Sequence, residues 1–139
     1  MKNPFEVAND LFDVFMASTE LTCALGIPEG ATIDVYDGKI RRVAADATLL
    51  DVNDTSIFPF IDYSWIPASG QQKNMLTFKG VLEFNIWTSN QYEAGVIYEI
   101  LKKLIKDNYD SDMIYLAAVA SGIPNIYRFR FRMQLLIES

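Results

Sequence analysis

From Thr77 to Trp87 the chain reads TFKGVLEFNIW, with Phe78, Gly80, Leu82, Phe84 and Ile86 alternating with Lys79, Val81, Glu83, Asn85 and Trp87. A period of two, rich in aromatic and branched residues, predicts one strand with a buried face. From Asn90 the period changes, and Tyr92, Val96, Ile97, Ile100, Leu101, Leu104 and Ile105 fall on the stripe of a helix. Asn90 is placed to cap that helix, with Glu93 to close a capping box. Glu99 and Lys103 pair one turn apart on the wet side, and Lys102, Lys103 and Lys106 suit the negative end of the helix dipole. A strand running straight into an amphipathic helix folds back so that the two apolar faces meet.

Working outward, Asn3-Pro4-Phe5-Glu6 is a helix start, with asparagine as cap and proline in the first turn. Phe5, Ala8, Leu11, Phe12 and Phe15 mark its apolar face to about Ala17. Ser18 or Thr19 restarts a short helix through Leu25, stopped by Gly26 and Pro28. Residues 28–55 mix turn formers with short apolar pieces and read as an irregular excursion, with a short helix around Asp34 to Val43 weakened by Gly38. Ser56 to Tyr63 reads as a strand that Pro59 keeps at a sheet edge or paired on one side only there. Residues 64–76, including Gln71, Gln72 and Lys73, read as a mobile inter-strand loop. Met113 to Val119 and Ile126 to Ile137 complete the strands. The expected fold is α+β: one domain over residues 1–139, an antiparallel sheet of about four strands, and two main helices packed on one face.

Half of the 139 residues are hydrophobic, enough for a chain of this length to bury about 65–70% of its unfolded surface. No apolar run approaches the ~20 residues of a membrane span, and the opening residues lack a signal-peptide pattern. Residence in a reducing cytoplasm is the expectation. Cys23 stands alone in an apolar stretch and reads as a small buried hydrophobe. The net charge of −6 disfavours a domain that grips nucleic acid by its phosphates. Histidine is absent, which removes the commonest general base and metal ligand. No phosphate-cradling or nucleophile-elbow motif is present. The chain is therefore read as a non-enzyme, with no catalytic, cofactor or metal residues assigned.

The last strand carries Tyr127, Phe129, Phe131, Met133, Leu135 and Ile137 on one face and Arg128, Arg130 and Arg132 on the other. Only five arginines occur in the chain, so three in one row are a concentration. Three readings stand: a solvated face with cross-strand partners such as Glu83, an interface with an acidic protein surface, or a contact with DNA. Val81, Trp87 and Leu136 lie opposite the core faces. Either they are exposed at a protein interface or the 28–55 excursion covers them.

Phe58-Pro59-Phe60-Ile61, a long loop, Leu82-Glu83-Phe84-Asn85-Ile86-Trp87-Thr88, the helix Tyr92-Glu93-Ala94…Leu104 and an aromatic closing strand together resemble the small tail-terminator (tail-completion, head–tail joining) proteins of long-tailed bacteriophages. The resemblance spans most of the chain, including Leu21 to Ile27, and rests on the order and texture of elements. It implies an antiparallel sheet with helices packed against it. It also implies a virion protein of the tail and neck, assembled in the host bacterial cytoplasm. Such proteins form a hexameric ring that caps the tail tube, halts its polymerisation and meets the head-side connector, while DNA passes through the lumen. The implied partners are copies of itself, the tube protein and the connector or stopper. Other neck components and a ferredoxin-like small-molecule-binding domain share this texture.

Overall fold

The alternation in TFKGVLEFNIW becomes β3 (Thr77–Thr88), and the helix that follows becomes α4 (Gln91–Asn108). The computed structural model describes residues 4–45, 50, 55–66 and 77–138. Before β3 come α1 (Pro4–Ala17), α2 (Thr19–Ala24), α3 (Ile33–Lys39), β1 (Ile40–Arg41), a 3-10 turn (Thr55–Ile57) and β2 (Phe60–Ile66). After α4 come β4 (Asp110–Val119) and β5 (Tyr127–Glu138). The protein is thus mixed helix and sheet. One sheet has the order β1-β2-β3-β5-β4, with β1 parallel to β2 and every other pair antiparallel.

Several expectations are corrected. The sheet has five strands, not about four, because the excursion contributes a two-residue strand in parallel pairing. That same stretch holds α3, so it is partly regular, and its helix ends at Lys39, before Val43. The strand expected over residues 56–63 begins only at Phe60, after the 3-10 turn and a cis Phe58–Pro59 bond, and continues to Ile66; it is an inner strand between β1 and β3 rather than an edge, because Pro59 falls outside the ladder. Ser64, Trp65 and Ile66 are therefore strand, registered against Glu83, Leu82 and Val81, and not loop. Gln71, Gln72 and Lys73 lie outside the described residues, as do Asn3 with its expected cap and the side chains of Phe5, Phe78, Leu136 and Ile137.

The core forms where the two periodicities meet. Tyr63, Phe84 and Phe131 are register partners across β2, β3 and β5, all fully buried, and their rings stack at 5.4 and 4.8 Å. Phe15 of α1 meets Tyr63 and Phe84 edge-on, and Tyr98 of α4 meets Phe131 edge-on. This aromatic row holds both long helices to the same face, each buried ring contributing about 1.5–3 kcal/mol from area alone. The Tyr63 hydroxyl donates to the Ala8 carbonyl at 2.7 Å, so the row also ties β2 to α1 by a part-buried polar contact.

On α4 the buried arc is Ala94, Ile97, Leu101 and Ile105. Tyr92 and Val96, expected in the stripe, are 86% and 55% exposed, because they lie on the opposite side of the helix from that arc. Cys23 is likewise exposed, not buried. Leu21 and Leu25, one turn apart, take the inward side of α2 and its C-cap and turn Cys23 outward.

The arginine face of the sheet

The period-two alternation that sends Tyr63, Phe84 and Phe131 to the helices sends Asp62, Asn85 and Arg130 to the other face, again as register partners. One step along, Phe60, Trp87 and Arg128 share a row, and in the other direction Ser64, Glu83 and Arg132 do. Insertion of β5 beside β3 sets the three arginines against Glu83, Asn85 and Trp87.

Asp62 is at the centre, fully buried. It accepts hydrogen bonds from Asn85 Nδ2 at 2.8 Å, Trp87 Nε1 at 2.7 Å and the Ala45 backbone N–H at 3.1 Å. Its pKa is raised by burial, opposed by those three donors and by the charge of Arg128. Asn85 turns its carbonyl oxygen to the arginines, accepting from Arg128 Nε at 3.0 Å and Arg130 Nε at 3.2 Å. Both of its polar atoms are therefore used, which a buried amide requires. Glu83 closes the network with Arg132 at 3.0 Å and Arg130 at 3.3 Å.

Flat surfaces complete the face. Phe60 and Trp87 stack at 5.6 Å; Arg41 lies over Phe60 at 4.1 Å and Arg128 over Trp87 at 4.6 Å. A guanidinium stacked on an aromatic ring keeps its charge while losing some of its water. Burial, and then the neighbouring charge of Arg130, lower the Arg128 pKa, but arginine remains protonated in proteins.

The residues singled out from the sequence can be placed, except Gln71, Gln72 and Lys73 and the Leu136 side chain, which lie outside what the structure describes. Arg128, Arg130 and Arg132 stand together, half-buried, with Glu83 as the expected cross-strand partner. Val81 is half-buried on the same side of β3. Trp87 is not an exposed interface residue. It is fully buried in a second apolar cluster with Phe60 and Ile123, against Ala45, Leu50, Ile57, Phe58 and Ile126. Ala45 and Leu50 belong to the 28–55 stretch, so the covering alternative is what this end of the face adopts. Sequence reading missed Asp62, Asn85 and Arg41. A carboxylate inside FPFIDYSW and an amide inside LEFNIW were the available signals, but their meeting depends on strand order.

Among the described residues this face carries four guanidinium groups, Arg41, Arg128, Arg130 and Arg132, against three carboxylates, Asp62, Glu83 and, on β4 beside Gln134, Asp112. On a chain of net charge −6 this is a local excess of positive charge. Such an array is suited to recognising carboxylates presented by another surface, with orientation already set by Asn85 and Glu83. Among the described residues no group of three or more His, Cys, Asp or Glu side chains could hold a metal ion. No described helix is long and apolar enough to cross a membrane. No protein-family model matches the chain, and no curated protein matches it.

Proposed function

We propose that this chain is a tail-terminator protein of a long-tailed bacteriophage: a structural, non-catalytic subunit that closes with copies of itself into a six-membered ring. The ring caps the tail tube, stops its polymerisation and presents its outer surface to the head-side connector. Two features support the reading. Element order and texture resemble that family over most of the chain, and a largely antiparallel sheet with helices on one face is the fold the resemblance implies. The observation that carries it furthest is the arginine face. Half-buried guanidiniums, oriented in advance and in excess over their carboxylates, form a docking surface for an acidic partner, here the end of the tube or the connector. The acidic balance of the whole chain fits a lumen that DNA traverses without adhering. A ring with a basic lumen would contradict that last point.

The test is a mass measurement of the free protein, repeated with purified tail tubes. Rings of six, or monomers that become rings on tube ends, are expected. The variant R132Q, neutral and at a side chain 37% exposed, should keep its fold by circular dichroism and weaken tube binding. A protein that stays monomeric with tubes present, or an R132Q variant that folds and binds them as wild type does, would overturn the assignment.

A further inference from the structure

A buried layer beneath the arginine face decides how its guanidiniums lie. Asp62 and Asn85 are both fully buried, and register sets them side by side across β2 and β3, with Arg130 next in the row. Asn85 makes contacts at both ends of its amide. Its Nδ2 donates to Asp62 Oδ1 at 2.8 Å, and its Oδ1 accepts from Arg128 Nε at 3.0 Å and Arg130 Nε at 3.2 Å. Only this orientation of the amide serves while Asp62 is ionised, because a carboxylate can only accept and a guanidinium can only donate. Arg132 is held differently. Its Nε donates to Glu83 Oε1 at 3.0 Å, and Arg130 shares that carboxylate at 3.3 Å.

A proton on Asp62 changes which orientation serves. Asn85 Nδ2 donates to its Oδ1, and Trp87 Nε1 and the Ala45 N–H donate to its Oδ2, so all three contacts bring a donor. A protonated carboxyl needs an acceptor for its new O–H. The indole and the backbone N–H have none to offer, whereas Asn85 carries one at the far end of an amide whose last torsion is roughly two-fold. Turning that amide over satisfies the acid and aims Nδ2 at the Nε–H groups of Arg128 and Arg130. Donor then meets donor, and both arginines lose the acceptor that aligns them.

We infer that Asp62 is the positioning residue of the arginine face: ionised, it holds Arg128 and Arg130 through Asn85 in the geometry that receives a carboxylate, and protonated, it releases them. Resting on the reading of this face as a docking surface, this gives that surface a pH response. The charged groups described around Asp62 are its register partner Arg41 from β1, Glu83 from β3, and Arg128 and Arg130 from β5, with Arg132 and Asp112 further along the face. Burial raises the Asp62 pKa against its donors and Arg128, which moves the release up from the ordinary carboxylate range.

Heteronuclear NMR tests the relay in the unmodified protein, by following the arginine Nε–H signals through a pH titration beside the Asp62 carboxyl carbon. Arg128 should move with the Asp62 midpoint, Arg130 less because Glu83 also holds it, and Arg132 not at all. Arg128 standing still through that midpoint would overturn the inference, as would Arg132 and Arg130 moving ahead of it, the pattern of a titrating Glu83. D62N meets the same choice: its N–H₂ faces either Asn85, which can turn, or the indole and the Ala45 N–H, which cannot accept. Folded by circular dichroism, it should show the released Arg128 signal at every pH. Binding of an oligoglutamate peptide at neutral pH separates alignment from charge. D62N removes a negative charge beneath the face, so charge alone makes binding tighter, whereas lost alignment makes it about three- to tenfold weaker, the effect of immobilising long side chains anew. Binding equal to or tighter than wild type would overturn the inference. Neither measurement uses tail tubes, so a failed relay leaves the terminator reading standing, and failed tube binding leaves the relay standing.

Discussion

Asp62 is a fully buried carboxylate on which three donors converge, two of them buried. Replacing it with asparagine turns an amide N–H₂ toward at least one of them, and D62N should lose about 1–3 kcal/mol in urea unfolding. The raised pKa gives that loss a pH signature. An acid whose folded pKa is raised takes up a proton on folding between its ordinary value and the raised one, so its contribution grows as pH falls through the folded value. The stability gap between wild type and D62N should widen as pH falls through the raised folded value towards about 4, the ordinary carboxylate range. A constant gap would mean that Asp62 titrates as in the unfolded chain. Cys23 offers a simpler check on a residue whose neighbourhood misleads. Being exposed, it should react fully with a thiol reagent in native buffer, with no lag for unfolding. Protection until denaturant is added would place it in the core.

At the level of elements, helix starts and stops are where local chemistry is most explicit. Asn90 caps α4 as expected, its side chain accepting from the Tyr92 N–H at 2.9 Å. Glu93 does not close the box directly. Thr88 stands between, its hydroxyl donating to Glu93 Oε2 at 2.9 Å and accepting from the Asn90 N–H at 3.0 Å. Removing that hydroxyl in T88V should cost about 1–2 kcal/mol, read as a lowered unfolding midpoint at unchanged slope. Gly26 follows α2 at φ +74°, where a side chain is strained even though open space surrounds it. G26A should destabilise by about 1–2 kcal/mol, whereas G95A, inside α4 with nothing near its added methyl, should gain about 0.5–1 kcal/mol. Equal effects of the two would refute the conformational account. Much of this was legible from Asn90, Ser18 and Gly26, because caps act over three or four residues. The start of β2 was not, because Phe58 and Pro59 have strand composition yet lie between the 3-10 turn and the strand, outside the ladder.

Over the whole molecule, docking through the arginine face should be sensitive to salt. Guanidinium–carboxylate docking weakens as the Debye length falls from about 10 Å at 0.1 M to about 3 Å at 1 M, while apolar contacts do not. Raising salt should therefore release the protein from tubes; binding unchanged between about 0.1 and 1 M salt would mean that the arginine face does not carry the contact. The sequence by itself determined the alternation of β3, the amphipathic character of α4, the caps and the presence of an arginine row, since each depends on neighbours within one or two turns of chain. Strand order was decided only in three dimensions. Residues 110–119 precede residues 127–138, yet the later strand takes the place beside β3. That choice brings Arg128 onto Trp87 and Arg130 onto Asn85, and leaves Leu116 at an edge. Such pairings join residues more than forty positions apart, where the contest between alternative sheets is settled by packing summed over both faces, a quantity no local window contains.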